Sequence, residues 1–154
     1  EGELVQESGK SAAGTGKRSA DDRALASGAR ILLAEDNPIN RKLATSILER
    51  SGYRVLCAED GRRAVTTWER EPVDLILMDV QMPEMDGLTA TRLIRAQEKE
   101  RGGRVPIIAL TAHALPEDRQ RCMDAGMDDY LTKPIDRAAL KVVLDSRLGV
   151  SIED

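Results

Sequence analysis

The chain has 154 residues, 41% of them hydrophobic and 32% charged, with a formal net charge of −4; this is the balance of a globular domain large enough to bury a core. No apolar run approaches the length of a membrane span, no basic tract offers a footprint for nucleic acid, and the polar, acidic first residues do not read as a signal peptide. The expectation is a segment with no membrane contact and no direct nucleic-acid partner. The first residue is Glu1 rather than Met, which reads as a fragment or a processed piece. Cys57 and Cys122 stand far apart in apolar surroundings and make neither a metal spacing nor a disulfide framework. Both are expected to be reduced core cysteines, which implies a cytoplasmic setting.

Residues 1–29 are rich in Gly, Ser, Ala and charge, without periodicity, and read as a flexible linker or tail. Gly9-Lys10-Ser11 and Gly16-Lys17-Arg18 invite a phosphate-loop reading. The first has Leu4 where the motif needs Gly; the second has Ser11 for that Gly and Arg18 for the final Ser or Thr. From Arg30 the chain alternates. A strand over Ile31–Ala34 is followed by Glu35-Asp36, then by Asn37-Pro38 as helix cap and first turn, and by a helix whose face carries Ile39, Leu43 and Ile47. Arg54–Ala58 is the second strand, and Ala64, Val65 and Trp68 mark the second helix. The third strand, Leu75–Met78, ends at Asp79; Asp86-Gly87 reads as turn and cap, and Leu88, Thr91 and Ile94 mark the third helix. Pro106–Leu110 runs into Thr111-Ala112, and the polar stretch Pro116–Ala125 is capped by Gly126. Asp129–Leu131 runs into Thr132-Lys133-Pro134, and Leu140, Val143 and Leu144 mark the last helix.

Near-continuous apolar strands separated by helices predict an α/β fold: a five-stranded parallel sheet with helices on both faces. Open parallel sheets place their sites at the carboxyl ends of strands, where the strand order reverses. Glu35, Asp36 and Asp79, with Thr111 and Lys133, all follow strands and should gather at that edge. Clustered carboxylates raise one another's pKa unless a cation joins them. Hard oxygen donors on a shallow surface suit Mg²⁺, which leaves coordination positions for water and phosphoryl oxygens. Lys133 and Thr111 would then face a phosphoryl group, and Asp79 could serve as the nucleophile.

The stretches "ILLAEDNPINRKLA", "DLILMDVQMPEMDGLTATRLIR", "PIIALTAHA" and "DDYLTKPI" resemble a response-regulator receiver domain, most of all the C-terminal receivers of bacterial hybrid histidine kinases. The resemblance implies a flavodoxin-like (βα)5 receiver fold over residues 30–149, between the tail 1–29 and a C-terminal tail 150–154. It implies a two-component phosphorelay module that takes a phosphoryl group from a phosphohistidine onto Asp79. Asp36 and Asp79 would ligate Mg²⁺ directly, Glu35 through water, and Gln81 through its backbone carbonyl. Thr111 and Lys133 would hold phosphoryl oxygens, and the family usually has a cis bond before the Pro134 position. Thr111 and Tyr130 would form the switch, with the ring turning inward on phosphorylation. His113 and Gln81 would tune water access to the acyl phosphate. The partner is expected to be the dimerisation and catalytic domains of a histidine kinase or a histidine phosphotransfer protein, docking near Ile39, Asn40, Leu43 and Pro134. As an isolated module the chain is expected to catalyse only its own phosphorylation. The chain ends soon after the last helix, so the signal is expected to pass by protein binding or by gating an attached kinase.

Other readings start from the same acids. A Mg²⁺ phosphatase passing through an aspartyl phosphate would carry a second Asp two residues after the nucleophile, where Gln81 stands. A degenerate receiver used only for binding has no need of clustered acids. A dinucleotide-binding protein would show a Gly-rich turn after the first strand, where Glu35-Asp36-Asn37-Pro38 stands.

Overall fold

The apolar runs form five strands: β1 (Arg30–Ala34), β2 (Arg54–Ala58), β3 (Leu75–Asp79), β4 (Ile107–Thr111) and β5 (Asp129–Thr132). They alternate with α1 (Pro38–Arg50), α2 (Gly61–Arg70), α3 (Gly87–Arg101), α4 (Pro116–Ala125) and α5 (Arg137–Leu148). The computed structural model describes residues 28–113 and 115–148. The expected tails, apart from Gly28 and Ala29, and both Gly-Lys pairs lie outside the described residues. Every strand pair is parallel, in the order β2-β1-β3-β4-β5. The order reverses between β1 and β3, and Ala34 lies level with Met78 there. That register brings the acids after β1 beside the end of β3.

Strand alternation divides the core in two. Ile31, Leu33, Leu75, Leu77, Ile108 and Leu110 point to one face and pack with Ala44 and Leu48 of α1 and Leu140, Val143 and Leu144 of α5. Leu32, Ala34, Ile76, Met78, Ile107 and Ala109 point to the other and pack with residues of α2, α3 and α4. The central strands β3 and β4 are buried along their whole length, whereas the edge strand β2 is partly open.

Of the apolar residues marking α1, Ile39 and Leu43 are 76% and 45% exposed, and α1 buries Ala44 and Leu48 against the sheet. Apolar spacing alone does not say which side of a helix meets the sheet. One expectation is corrected here. Cys57 is exposed, because β2 is the edge strand of the sheet among the described residues; Cys122 is buried as expected.

The edge of the sheet opposite the acids is closed by an ion network. Arg95 donates to Glu98 Oε1 (2.7 Å), Asp128 Oδ2 (2.8 Å), and the carbonyls of Val105 (2.8 Å) and Gly126 (2.9 Å). Glu98 and Asp128 in turn accept from the backbone amides of Val105 and Ile107. Burial alone would raise the Asp128 carboxyl, but the Arg104 and Ile107 hydrogen bonds and the nearby guanidinium charges hold it below the usual aspartate value. The network ties α3, the start of β4 and the start of β5 together. Arg95→Leu removes the shared cation, leaving buried Glu98 without its ion-pair partner and Asp128 with Arg104 alone. It should cost about 3–5 kcal/mol, read as a fall in the urea midpoint.

Candidate functional site

Backbone geometry delivers each acid. The Glu35 amide donates to Ala58 O (3.0 Å), extending the β1–β2 ladder by one residue. Asn37 then caps α1, accepting from the amides of Ile39 (2.9 Å) and Asn40 (3.1 Å), with Pro38 in the first turn. Asp36 is therefore caught between a strand end and a helix start, and its side chain is exposed. At β3 the Val80 amide donates to Leu110 O, and the Gly87 amide returns to Val80 O (3.0 Å each). The segment after Asp79 is thereby folded back against its own strand. Asp86 caps α3 by accepting from the Thr89 amide at 2.8 Å, as the turn-and-cap reading expected.

The three carboxylates meet: ligand oxygens of Glu35, Asp36 and Asp79 all lie within 4.8 Å of one another. Glu35 and Asp79 are buried, at 1% and 2% exposure. Lys133 reaches them from the end of β5, with Nζ 2.7 Å from Asp79 Oδ2 and 3.3 Å from Glu35 Oε1. The second oxygen of Asp79 accepts from the Gln81 amide (3.1 Å), and Glu35 Oε2 accepts from the Asn37 amide (3.1 Å). Among the described residues Glu35 Oε1 has the Lys133 ion pair but no hydrogen bond of good geometry. Burial, with help from Glu35, pushes the Asp79 carboxyl up to about 6, although the Lys133 hydrogen bond opposes the rise. Burial alone would lower the Lys133 ammonium, but Asp79 and Glu35 more than offset it and hold it above the usual lysine value.

Thr111 lies at the end of β4, and the Lys133 amide donates to its carbonyl (2.8 Å). Its hydroxyl is engaged locally: it donates to His113 O (2.9 Å) and accepts from His113 N (3.1 Å). Asp79, Gln81, Thr111, His113 and Lys133 line one narrow cleft. The Lys133–Pro134 peptide bond is cis. Tyr130 sits two residues before Thr132 on β5, level with Ala109, and packs half-buried against the α2–α4 side of the core. Ile39, Leu43 and Pro134 are exposed, with Asn40 partly covered.

Two positioning groups escaped the sequence reading. Arg41 Nη1 donates to the carbonyls of Glu35 (2.8 Å) and Asp36 (3.3 Å), clamping the acidic turn from the first turns of α1. Its place beyond the cap was the available signal, passed over for the apolar residues around it. Gly87 was read only as a cap. A methyl group there would overlap the Asp79 carbonyl oxygen and approach Met78 Cγ to 2.9 Å.

The chain matches the response regulator receiver domain over residues 31–145. The chain belongs to the response regulator receiver family. Its receiver is 43% identical over 139 residues to sensor histidine kinase GacS of Pseudomonas protegens, covering 89% of this chain and 15% of that protein. It is 40% identical to hybrid signal transduction histidine kinase I of Dictyostelium discoideum, over 81% of this chain and 8% of that protein. The chain thus spans a small fraction of the curated relatives it matches. Among solved structures, the receiver domain of sensor histidine kinase PA1611 from Pseudomonas aeruginosa, with a magnesium ion coordinated in its active-site cleft, is 52% identical. It superposes with a TM-score of 0.73 over 79% of this chain and 98% of that one. The co-crystal structure of the Saccharomyces cerevisiae phosphotransfer protein Ypd1 with the receiver domain of Ssk1 matches at 33% identity. There the TM-score is 0.75, over 78% of this chain and 88% of that one.

The donor set of this receiver fits a small hard divalent cation. The three acids offer oxygens only, one of them exposed, and Glu35 Oε1 is buried with acceptor capacity to spare.

Two predictions follow from this geometry. Gly87→Ala must push α3 away from the end of β3, which should cost about 1–3 kcal/mol in denaturant unfolding and loosen Mg²⁺ binding measured by calorimetry. The second concerns pH. The Asp79 carboxyl titrates near 6 in the fold, against 3.8 for an ordinary aspartate, so the metal-free fold holds that proton more tightly than the unfolded chain. This contribution is fully present below about pH 4 and is lost as pH rises to about 6. Asp79→Asn should therefore be more stable than the parent by about 2–3 kcal/mol at pH 7 without metal. Urea titrations should show that gap closing as pH falls toward 4.

Proposed function

We propose that Asp79 is the phosphoacceptor of this phosphorelay receiver, taking a phosphoryl group from the phosphohistidine of a kinase or of a histidine phosphotransfer protein. The observation that carries the reading is the meeting of Asp79, Glu35, Asp36 and Lys133 from three separate strand ends in one cup. The receiver's membership of its family and its likeness to a Mg²⁺-bearing receiver support it. Asp36, Asp79 and the Gln81 carbonyl would hold Mg²⁺ directly, and Glu35 through water. Mg²⁺, when bound, neutralises the charge that gathers on the transferring phosphoryl oxygens.

The remaining chemistry belongs to the side chains. A carboxylate oxygen of Asp79 attacks phosphorus in line as the P–N bond to the donor imidazole breaks; the imidazole leaves with that electron pair. Lys133 stays charged through this exchange, because Asp79 and Glu35 stabilise its ammonium. It already touches the attacking carboxylate, so it can follow the charge onto a phosphoryl oxygen with little movement. Thr111 must release His113 O before its hydroxyl can donate to the product. That exchange would draw the β4–α4 loop and free space for Tyr130 to turn inward, a population shift driven by a bond made in one state only.

Residues 30–149 would act as the receiver, with 1–29 as a linker and 150–154 as a short tail. The parent protein would be a hybrid histidine kinase, in keeping with its relatives. The donor helices would dock on Ile39, Asn40, Leu43 and Pro134, exposed or partly exposed residues that follow the acidic turn and Lys133 in the chain. Among the described residues no helix is long and apolar enough to cross a membrane.

Incubation with Mg²⁺ and a small acyl-phosphate donor should give one labile phosphoryl adduct by intact mass, mapped to Asp79 and absent from Asp79→Asn. Beryllium fluoride with Mg²⁺ should change Tyr130 fluorescence in the parent and not in Asp79→Asn. Thr111→Ala should still form the adduct but lose most of the fluorescence change. Multiple-turnover release of phosphate would instead favour a phosphatase, and no adduct with any donor would leave a binding module.

A further inference from the structure

We infer that Arg119 is a positioning residue of the switch: its guanidinium lies over the Tyr130 ring, 5.1 Å from the centroid, and holds the ring in the half-buried position it takes in this structure. The inference rests on the switch role proposed for Tyr130 and names the group that sets its resting balance.

Three observations carry it. The first is the contact itself. The face of an aromatic ring is electronegative, so a cation over it is attracted. Tyr130 is only half-buried, packed on its inner side by the core and covered on its outer side by Arg119. The second is the weak start of α4. The caps of α1, α2 and α3 are Asn37, Asp60 and Asp86, each accepting amide hydrogen bonds through its side chain. The α4 cap is Leu115, which has no side-chain hydrogen bond and is 52% exposed. The first turns of α4 are thus held by less than those of its neighbours, and Arg119 stands in that region with its grip on β5. The third is the route to the site. Ala109, level with Tyr130 in the sheet, lies two residues before Thr111, whose hydroxyl is engaged by His113 on the loop leading into α4. A ring that turned inward would leave the guanidinium, so the clasp stabilises one state and not the other. A contact made in only one of two states shifts their equilibrium by its own free energy.

The sign of the effect separates the clasp from simple charge. Arg119 is a cation, and removing a cation weakens binding of an anion at the acidic cup by Coulomb's law. Removing a clasp does the reverse, because it releases the state that binds phosphoryl analogues better. For an exposed cation–π contact the shift is about two- to fivefold.

The test uses the whole chain labelled with 3-fluorotyrosine. It has two tyrosines, Tyr53 and Tyr130, and Tyr53→Phe assigns their fluorine signals. Beryllium fluoride is titrated at saturating Mg²⁺ in the parent, Arg119→Gln and Arg119→Lys. Arg119→Gln should bind beryllium fluoride about two- to fivefold more tightly and show its resting Tyr130 signal moved part-way toward the bound position, with Arg119→Lys between it and the parent. In a Tyr130→Leu background the same substitution should no longer tighten binding. If the Tyr130 signal moves on titration but Arg119→Gln binds equally or more weakly, the clasp is refuted and the switch stands. If the Tyr130 signal does not move in the parent, the switch reading falls and takes the clasp with it.

Discussion

The whole site depends on one ammonium group. Glu35 and Asp79 are buried carboxylates a few ångströms apart, and two such charges in a poorly solvated place repel each other. Lys133 Nζ sits between them, 2.7 Å from one and 3.3 Å from the other. It lets the acids remain crowded and opposes the rise that burial and Glu35 impose on the Asp79 carboxyl. Under the proposed function the same cation would be in place for the negative charge of a phosphoryl group. Resting structure and the proposed chemistry would then use one contact, held in place by the end of β5.

Rigidity is distributed unequally around that contact. The acids are held by ladders and clamps: Glu35 by Ala58, the acidic turn by Arg41, and the end of β3 by Val80 and the close approach of Gly87. On the far edge of the sheet, Arg95, Glu98 and Asp128 lock α3 to the starts of β4 and β5. The β4–α4 side is built differently. Thr111 satisfies its hydroxyl locally, α4 begins without a side-chain cap, and Tyr130 is covered by an exposed arginine. A fixed acidic cup beside a lightly held helix is the arrangement that the proposed phosphoryl-driven switch would use. The chemistry needs geometry that does not move, and the signal needs something that does.

Much of this was legible from the chain. Strand-length apolar runs, followed at β1, β3, β4 and β5 by acids, a threonine and a lysine, identify both the alternating fold and the edge at which those groups collect. Asn37-Pro38, Asp86-Gly87 and Gly126 announce the helix ends through local backbone preferences, and all stand where those preferences place them. The spacing of Ile39 and Leu43 did not say which side of α1 meets the sheet, and the one expectation that failed, a buried Cys57, rested on an apolar context that an edge strand leaves uncovered. Periodicity reports that a face exists; only a neighbour decides whether it is covered.

The sequence by itself determined the elements, their caps and the residue types offered at each strand end, because these follow from local sterics and hydrogen bonding within a few residues. Tertiary structure alone decided that Lys133 bridges Asp79 and Glu35, that Arg41 clamps the acidic turn, that Gly87 must lack a side chain, and that Arg119 covers Tyr130. Each of these depends on the strand order, the sheet register or the way a helix is seated. Those are settled by the packing of the whole core, which no short window of sequence contains.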